Sequence, residues 1–157
     1  MSRAFVREPD GADFIEDLPE RPIGDERNLV TPRGLAQIEA EIERLRGQLA
    51  DAQGRGARAA IAETSRDLRY WAARRSSAEL VPTQADLSEV RFGHAVTIER
   101  DDGRRQRYQI VGVDEADPVQ GLISYVSPLA TALVGGRPGD EIDAGPSQAT
   151  IVAIEAG

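Results

Sequence analysis

A chain of 157 residues suffices for one ordinary domain or two small ones, and a 40% hydrophobic share with only 4% aromatics gives it a mostly aliphatic core. The formal net charge of −8 argues against general affinity for DNA or anionic membrane, since both need a basic face. With no cysteine and one histidine, disulfides, thiolate metal sites and cysteine nucleophiles are excluded and a Ser-His-Asp triad has little room, so no cofactor is expected.

No stretch approaches the roughly 18–20 apolar residues of a membrane span. The start, 1-MSRAFVREPDGADF-14, lacks a long apolar region after its arginine, so the expectation is a cytoplasmic protein without a secretory signal. Apart from His94, every basic residue is an arginine.

Residues 1–30 form an acidic N-terminal extension, rich in Asp, Glu, Pro and Gly with scattered apolar residues. This composition predicts an extended arm, ordered where Phe14 and Ile15 dock and otherwise mobile.

Residues 31–80 have a helical pattern. Thr31 suits the N-cap and Pro32 the first helical position. Leu35, Ile38, Ile42, Leu45, Leu49 and Ala52 recur at alternating spacings of three and four, which is a coiled-coil seam. The triplet 54-GRG-56 breaks it. A second seam follows at Ile61, Thr64, Leu68, Trp71, Arg75 and Ala78. Two such helices with a tight connection predict an antiparallel hairpin. The alternative, half of a compact bundle, lacks a third helix of similar length.

Residues 81–157 change period. Strand-like runs lie at 94-HAVTIER-100, 107-RYQIVGV-113, 122-LISYV-126 and 149-ATIVAIEA-156, separated by 101-DDG-103, 116-ADP-118 and 137-RPGD-140. One helix interrupts: Ser127 is its N-cap, Pro128 its first residue, and Gly135 or Gly136 its stop. The fold class is α+β, with a helical hairpin followed by a bent antiparallel sheet and one short helix. Val81-Pro82-Thr83 is the expected joint.

These pieces, in this order, resemble the GreA/GreB transcript-cleavage and elongation-factor family of bacterial RNA polymerase. The residues that carry the resemblance are 92-FG-93, 110-IVGVDEAD-117 and 124-SYVSPLATALVGGRPGD-140, with 31-TPRGLAQIEAEIERL-45 at the entry to the coiled coil. The resemblance implies an FKBP-like C-terminal module that docks at the rim of the polymerase secondary channel, and a coiled coil that enters the channel. It implies docking through Asp114, Glu115, Asp117, Ser127, Pro128 and Leu133.

The hairpin tip departs from the family pattern, Asp-x-x-Glu-Asn-Ala-Asp/Glu-Tyr, whose first two carboxylates help hold the catalytic magnesium of the polymerase. Here 49-LADAQGRGARAA-60 offers one acid, Asp51, followed by Arg55 and Arg58. A hard divalent cation needs two acidic oxygens close together. From Pro32 to Gln53 is 22 residues, roughly 33 Å of helix and about 11 Å short of the family arm. The arm therefore resembles the truncated coiled coil of Rnk-type members. What this implies is a non-enzymatic factor that binds RNA polymerase, modulates transcription without stimulating cleavage, reaches nascent RNA at most indirectly and competes with other secondary-channel factors. The alternatives are a genuine cleavage factor and a module for another partner. A prolyl isomerase rests on the fold alone, which does not carry function.

Arg55 and Arg58, at a tip with few intrahairpin partners, are expected to meet acidic channel walls or RNA phosphate. Arg74 and Arg75 are expected to pair with the Glu-rich first helix. Trp71 reads as core packing, His94 as an edge or surface histidine, and the acidic loop at Asp114 as the end of a strand rather than a metal site. The 135-GGRPGD-140 turn is no phosphate loop, since no Lys-Ser/Thr follows.

Overall fold

The computed structural model describes residues 18–157, so the expected docking of Phe14 and Ile15 lies outside the described residues. The chain divides into two compact units. Among the described residues, one holds 18–26 and Glu39–Ser76; the other holds Arg27–Ile38 and Ser77–Gly157.

Two helices, α1 (Pro32–Arg55) and α2 (Arg58–Ser77), are joined at Gly56, whose φ of 62° a side chain would resist; the first unit takes α1 from Glu39 and α2 as far as Ser76. On α1 the expected seam is inside: Ile38, Ile42, Leu45 and Ala52 are buried. On α2, Thr64 is buried and Ile61, Leu68 and Trp71 are half-buried. After Trp71 the seam shifts by one residue. Arg74 is buried and Arg75 is exposed, where it pairs with Glu39 on α1 at 2.9 Å. Ala78, expected on the seam, has left the helix.

The second unit has two sheets. Strands β1 (Asn28–Val30) and β2 (Ala78–Leu80) pair in parallel, Asn28 opposite Ala78 and Val30 opposite Leu80. The Asn28 amide donates to the Ser77 hydroxyl at 3.1 Å, and the Val81 N–H donates to the Val30 carbonyl at 2.9 Å. Outside this ladder the Arg27 guanidinium hydrogen-bonds the Glu79 carboxylate, which holds that carboxyl below its ordinary range and raises the arginine in turn. Sequence periodicity did not expose either strand, because three residues are too few to show one.

The main sheet has the order β5-β4-β3-β7-β6, from Ala95–Arg100 (β3), Arg105–Val111 (β4), Leu122–Ser124 (β5), Glu141–Asp143 (β6) and Gln148–Glu155 (β7). The α+β class is as expected. However, the sheet is mixed rather than wholly antiparallel: β5 runs parallel to β4, because the chain crosses back through a single 3-10 turn at Pro118–Gln120. Strand β6 was also not anticipated. A register shift between Thr97 and Ile98 bends the β3–β7 pairing. One face carries the core of Val90, Val96, Ile98, Ile110, Ile123, Leu133 and Ile151, closed by the helix α3 (Pro128–Leu133).

His94 corrects its expectation. It is fully buried, its Nδ1 accepts from the Arg91 N–H at 3.0 Å, and its Nε2 lies 3.1 Å from the Gln84 carbonyl. With Nδ1 accepting, Nε2 carries the proton and donates. The ring thus fastens the incoming segment 84–91 to the start of β3. No helix among the described residues is long and apolar enough to cross a membrane.

Candidate functional site

The motif 110-IVGVDEAD-117 leaves the end of β4 and makes the loop expected to dock. Gly112 is there for a steric reason. A β-carbon at this position would lie 2.4 Å from the Leu29 carbonyl oxygen, so only glycine lets β1 approach. The three acids that follow separate in role. Glu115 is only 6% exposed, and its carboxylate accepts from the Thr31 hydroxyl. Thr31 caps α1 as expected: its Oγ1 accepts from the Gly34 N–H at 2.9 Å. A carboxylate beside this first turn also faces the positive end of a 24-residue helix. Gly34 leaves room for it, since a β-carbon there would lie 2.8 Å from Glu115 Oε1. Glu115 is therefore an interior strut and not a surface group. Asp114 and Asp117 are half-buried, and the Asp117 N–H donates to the Leu122 carbonyl at 2.8 Å where the loop turns back into β5.

Ser127 and Pro128 stand where the sequence put them. The Ser127 hydroxyl accepts from the Ala130 N–H at 3.3 Å, Pro128 opens α3, and Gly135, at φ 84°, follows its end. Leu133 is fully buried, so its contribution is to the core beneath the helix rather than to any docking contact. Val126 and Val134, at the two ends of α3, are exposed. Beside the helix runs a cleft of about 490 Å³, lined by Ile123, Ser127, Pro128, Leu129 and Ala132 on one side and Asp143, Ala144 and Gly145 on the other. No aromatic ring lines it among the described residues. Tyr125 turns away. It stacks edge-to-face on Phe92 at 5.6 Å and donates its hydroxyl to the Arg27 carbonyl.

At the hairpin tip Asp51 and Arg55 pair across one helical turn at 2.9 Å, both well exposed. Arg55 thus has an intrahairpin partner, which tip position alone did not suggest. Arg58, at the first position of α2, is exposed, and its guanidinium makes no ion pair or hydrogen bond to another described residue.

Comparison with known proteins places these features. The family model for the C-terminal part of transcription elongation factors GreA/GreB matches residues 84–156, the main sheet with the acidic loop after β4 and α3. A transcription elongation factor GreB of Neisseria meningitidis is 42% identical over 82 residues, 51% of this chain and 50% of that factor, so the chain spans about half of its length. A GreA of Acidiphilium cryptum is 32% identical over 139 aligned positions, covering 72% of this chain and 85% of the relative. Among solved structures, GreA factor homolog 1 (Gfh1) of Thermus thermophilus is 21% identical, with a TM-score of 0.41, over 83% of this chain and 99% of that one.

The expectation of a non-enzymatic factor is overturned by these relatives, which are named GreA and GreB, the transcript-cleavage and elongation factors of the resemblance. With the motif in place around Gly112 and α3, and one relative matched at 32% identity over 85% of its length, this chain belongs to the GreA/GreB family of transcription elongation factors.

Proposed function

We propose that this elongation factor binds RNA polymerase at the secondary channel, docking with the sheet unit and placing the α1–α2 hairpin in the opening, and that it competes there with other channel factors. The observation that carries the reading is the family match over residues 84–156, which falls on the unit that presents Asp114, Asp117, Ser127 and Pro128 together with the exposed Val126. At the tip, Arg58, which has no charged partner among the described residues, offers a cation to acidic walls or phosphate inside the channel.

A short arm is part of the proposal. Helix α1 has 24 residues, about 36 Å. The Acidiphilium alignment runs over 139 positions but uses 72% of these 157 residues, about 113, so about 26 positions fall opposite gaps in this chain. A shortened hairpin accounts for gaps of that extent.

The relatives' names favour a second reading, stimulation of transcript cleavage, with Asp51 as the tip carboxylate. In that case Asp51 must first leave Arg55.

The deciding experiment is displacement. A fluorescently labelled GreA bound to core polymerase is titrated with the full chain. Displacement that is relieved by more GreA is expected, because both occupy one opening. Binding to polymerase without displacement places the factor elsewhere, and no binding overturns the proposal. Cleavage of RNA in stalled complexes by wild type and Asp51→Ala separates the two readings.

A further inference from the structure

Residues 18–26 form no helix or strand, yet they do not lie idle along the hairpin unit. Glu20 receives three hydrogen bonds from Arg69 on α2, from Nε at 2.9 and 3.1 Å to its two oxygens and from Nη2 at 2.6 Å. This clamp holds the Glu20 carboxyl below its ordinary range. The next residue faces a different group. The Arg21 guanidinium carbon sits 3.9 Å from the centroid of the Tyr70 ring and 5.7 Å from that of Trp71, and its Nη1 is 3.5 Å from Asp67. Tyr70 and Trp71 brace each other edge-to-face at 5.2 Å. An acid and an arginine, adjacent in a segment outside any helix or strand, are thus each matched by a complementary group within five residues of one helix.

The match is specific but weakly held. The Glu20–Arg69 pair is mostly exposed, and such pairs contribute little and are screened by salt. The cation stacked on Tyr70 adds a modest attraction. Pro19, Pro22 and Gly24 keep the segment out of regular structure, so it can leave without unfolding an element.

We infer that residues 18–26 are a releasable strap over a peptide-recognition face of α2, formed by Asp67, Arg69, Tyr70 and Trp71. The competing ligand is an extended segment of a partner protein that carries an acidic residue followed by an arginine. The strap is that ligand in intramolecular form, so its own contacts state the chemistry the face selects. None of this depends on where the sheet unit docks.

Trp71, the one tryptophan of the chain, reports on the strap directly. The full-length wild type and the double variant Glu20→Ala/Arg21→Ala are compared by acrylamide quenching and by titration with a labelled synthetic peptide of the sequence of residues 18–26. The variant's tryptophan is expected to be more quenched, and salt should raise quenching in the wild type alone. The peptide should bind the variant about tenfold or more tightly than the wild type, whose face is already occupied. Adding Arg69→Glu to the variant, or reversing the Glu-Arg order in the peptide, should abolish binding. Equal quenching in the two proteins, equal peptide affinity, or binding that ignores Arg69→Glu overturns the inference. So does displacement of the strap by a single-stranded oligonucleotide when the peptide displaces nothing.

Discussion

Thr31 and Glu115, 84 residues apart in sequence, share a hydrogen bond in which the threonine hydroxyl donates to the carboxylate. The same hydroxyl oxygen accepts from the Gly34 N–H. One side chain thereby caps the first helix of the hairpin and anchors the acidic loop after β4. Either partner alone leaves a buried polar group unsatisfied.

Thr31→Ala should therefore lower stability by about 1–2 kcal/mol, the usual cost of a lost N-cap. Glu115→Ala should cost about 1–3 kcal/mol by stranding the hydroxyl. In urea unfolding, the double variant should lose less than the sum of the two, with a coupling of about 0.5–3 kcal/mol. Strict additivity would show that the two side chains do not act together.

Gly112→Ala tests the close approach of β1. The new methyl carbon would start 2.4 Å from the Leu29 carbonyl oxygen, backbone rather than a flexible side-chain end, so the strand must move. A loss of about 1–3 kcal/mol is expected, typical of overpacking. Hydrogen exchange should quicken first at Val81, whose N–H donates to the Val30 carbonyl. An unchanged unfolding midpoint and unchanged exchange at Val81 would refute the steric account.

The Arg27–Glu79 pair predicts an acid dependence. Glu79 hydrogen-bonds Arg27, and its folded-state value lies below the ordinary 4.5. The folded chain thus binds this proton less readily than the unfolded one. The pair's contribution is complete above pH 4.5 and disappears as pH falls through the lower folded value. Wild type should exceed Glu79→Gln in stability at neutral pH, and the two should converge as pH falls below the lowered folded value of Glu79. High salt should shrink the difference, since the pair is exposed. A difference that stays constant down to pH 2 excludes this pair as its source.

Arg58→Glu should weaken binding to core polymerase by about two- to fivefold, in keeping with an exposed charge worth about 0.5–1 kcal/mol. Arg55→Glu should do less harm or none, because Arg55 is already paired with Asp51. Arg75→Glu serves as the control for charge alone, its partner being Glu39. If all three variants bind alike in a salt-matched titration, the tip makes no contact of its own.

Much of this architecture was legible in sequence wherever a local rule governs it. Thr31, Pro32 and the three-four spacing wrote out α1, and Ser127, Pro128 and Gly135 wrote out α3 with both ends in place. Elements held by distant partners were not legible. Strand β1 is three residues long and finds its mate fifty residues later. His94 precedes a strand, as an edge residue does, but its burial is decided by the backbone of Arg91 and Gln84. The acidic loop was visible as a motif, yet nothing local said that Glu115 points inward while its neighbours stay near the surface. Leu133 reads equally well as a contact or as core until the sheet beneath it is known.

The two-stranded ladder of Asn28–Val30 with Ala78–Leu80 has a consequence for how such chains diversify. It holds the segment just before α1 beside the segment just after α2, in fixed register. Everything between Glu39 and Ser76 is then an insertion between the two paired strands. Matched turns removed from or added to both helices leave the ladder unchanged, so the length of the hairpin can vary without disturbing the pairing that closes it. Changes at the ladder itself, at Asn28, Val30, Ser77 or Val81, have no such freedom, because each is tied to a residue on the other side of the insertion.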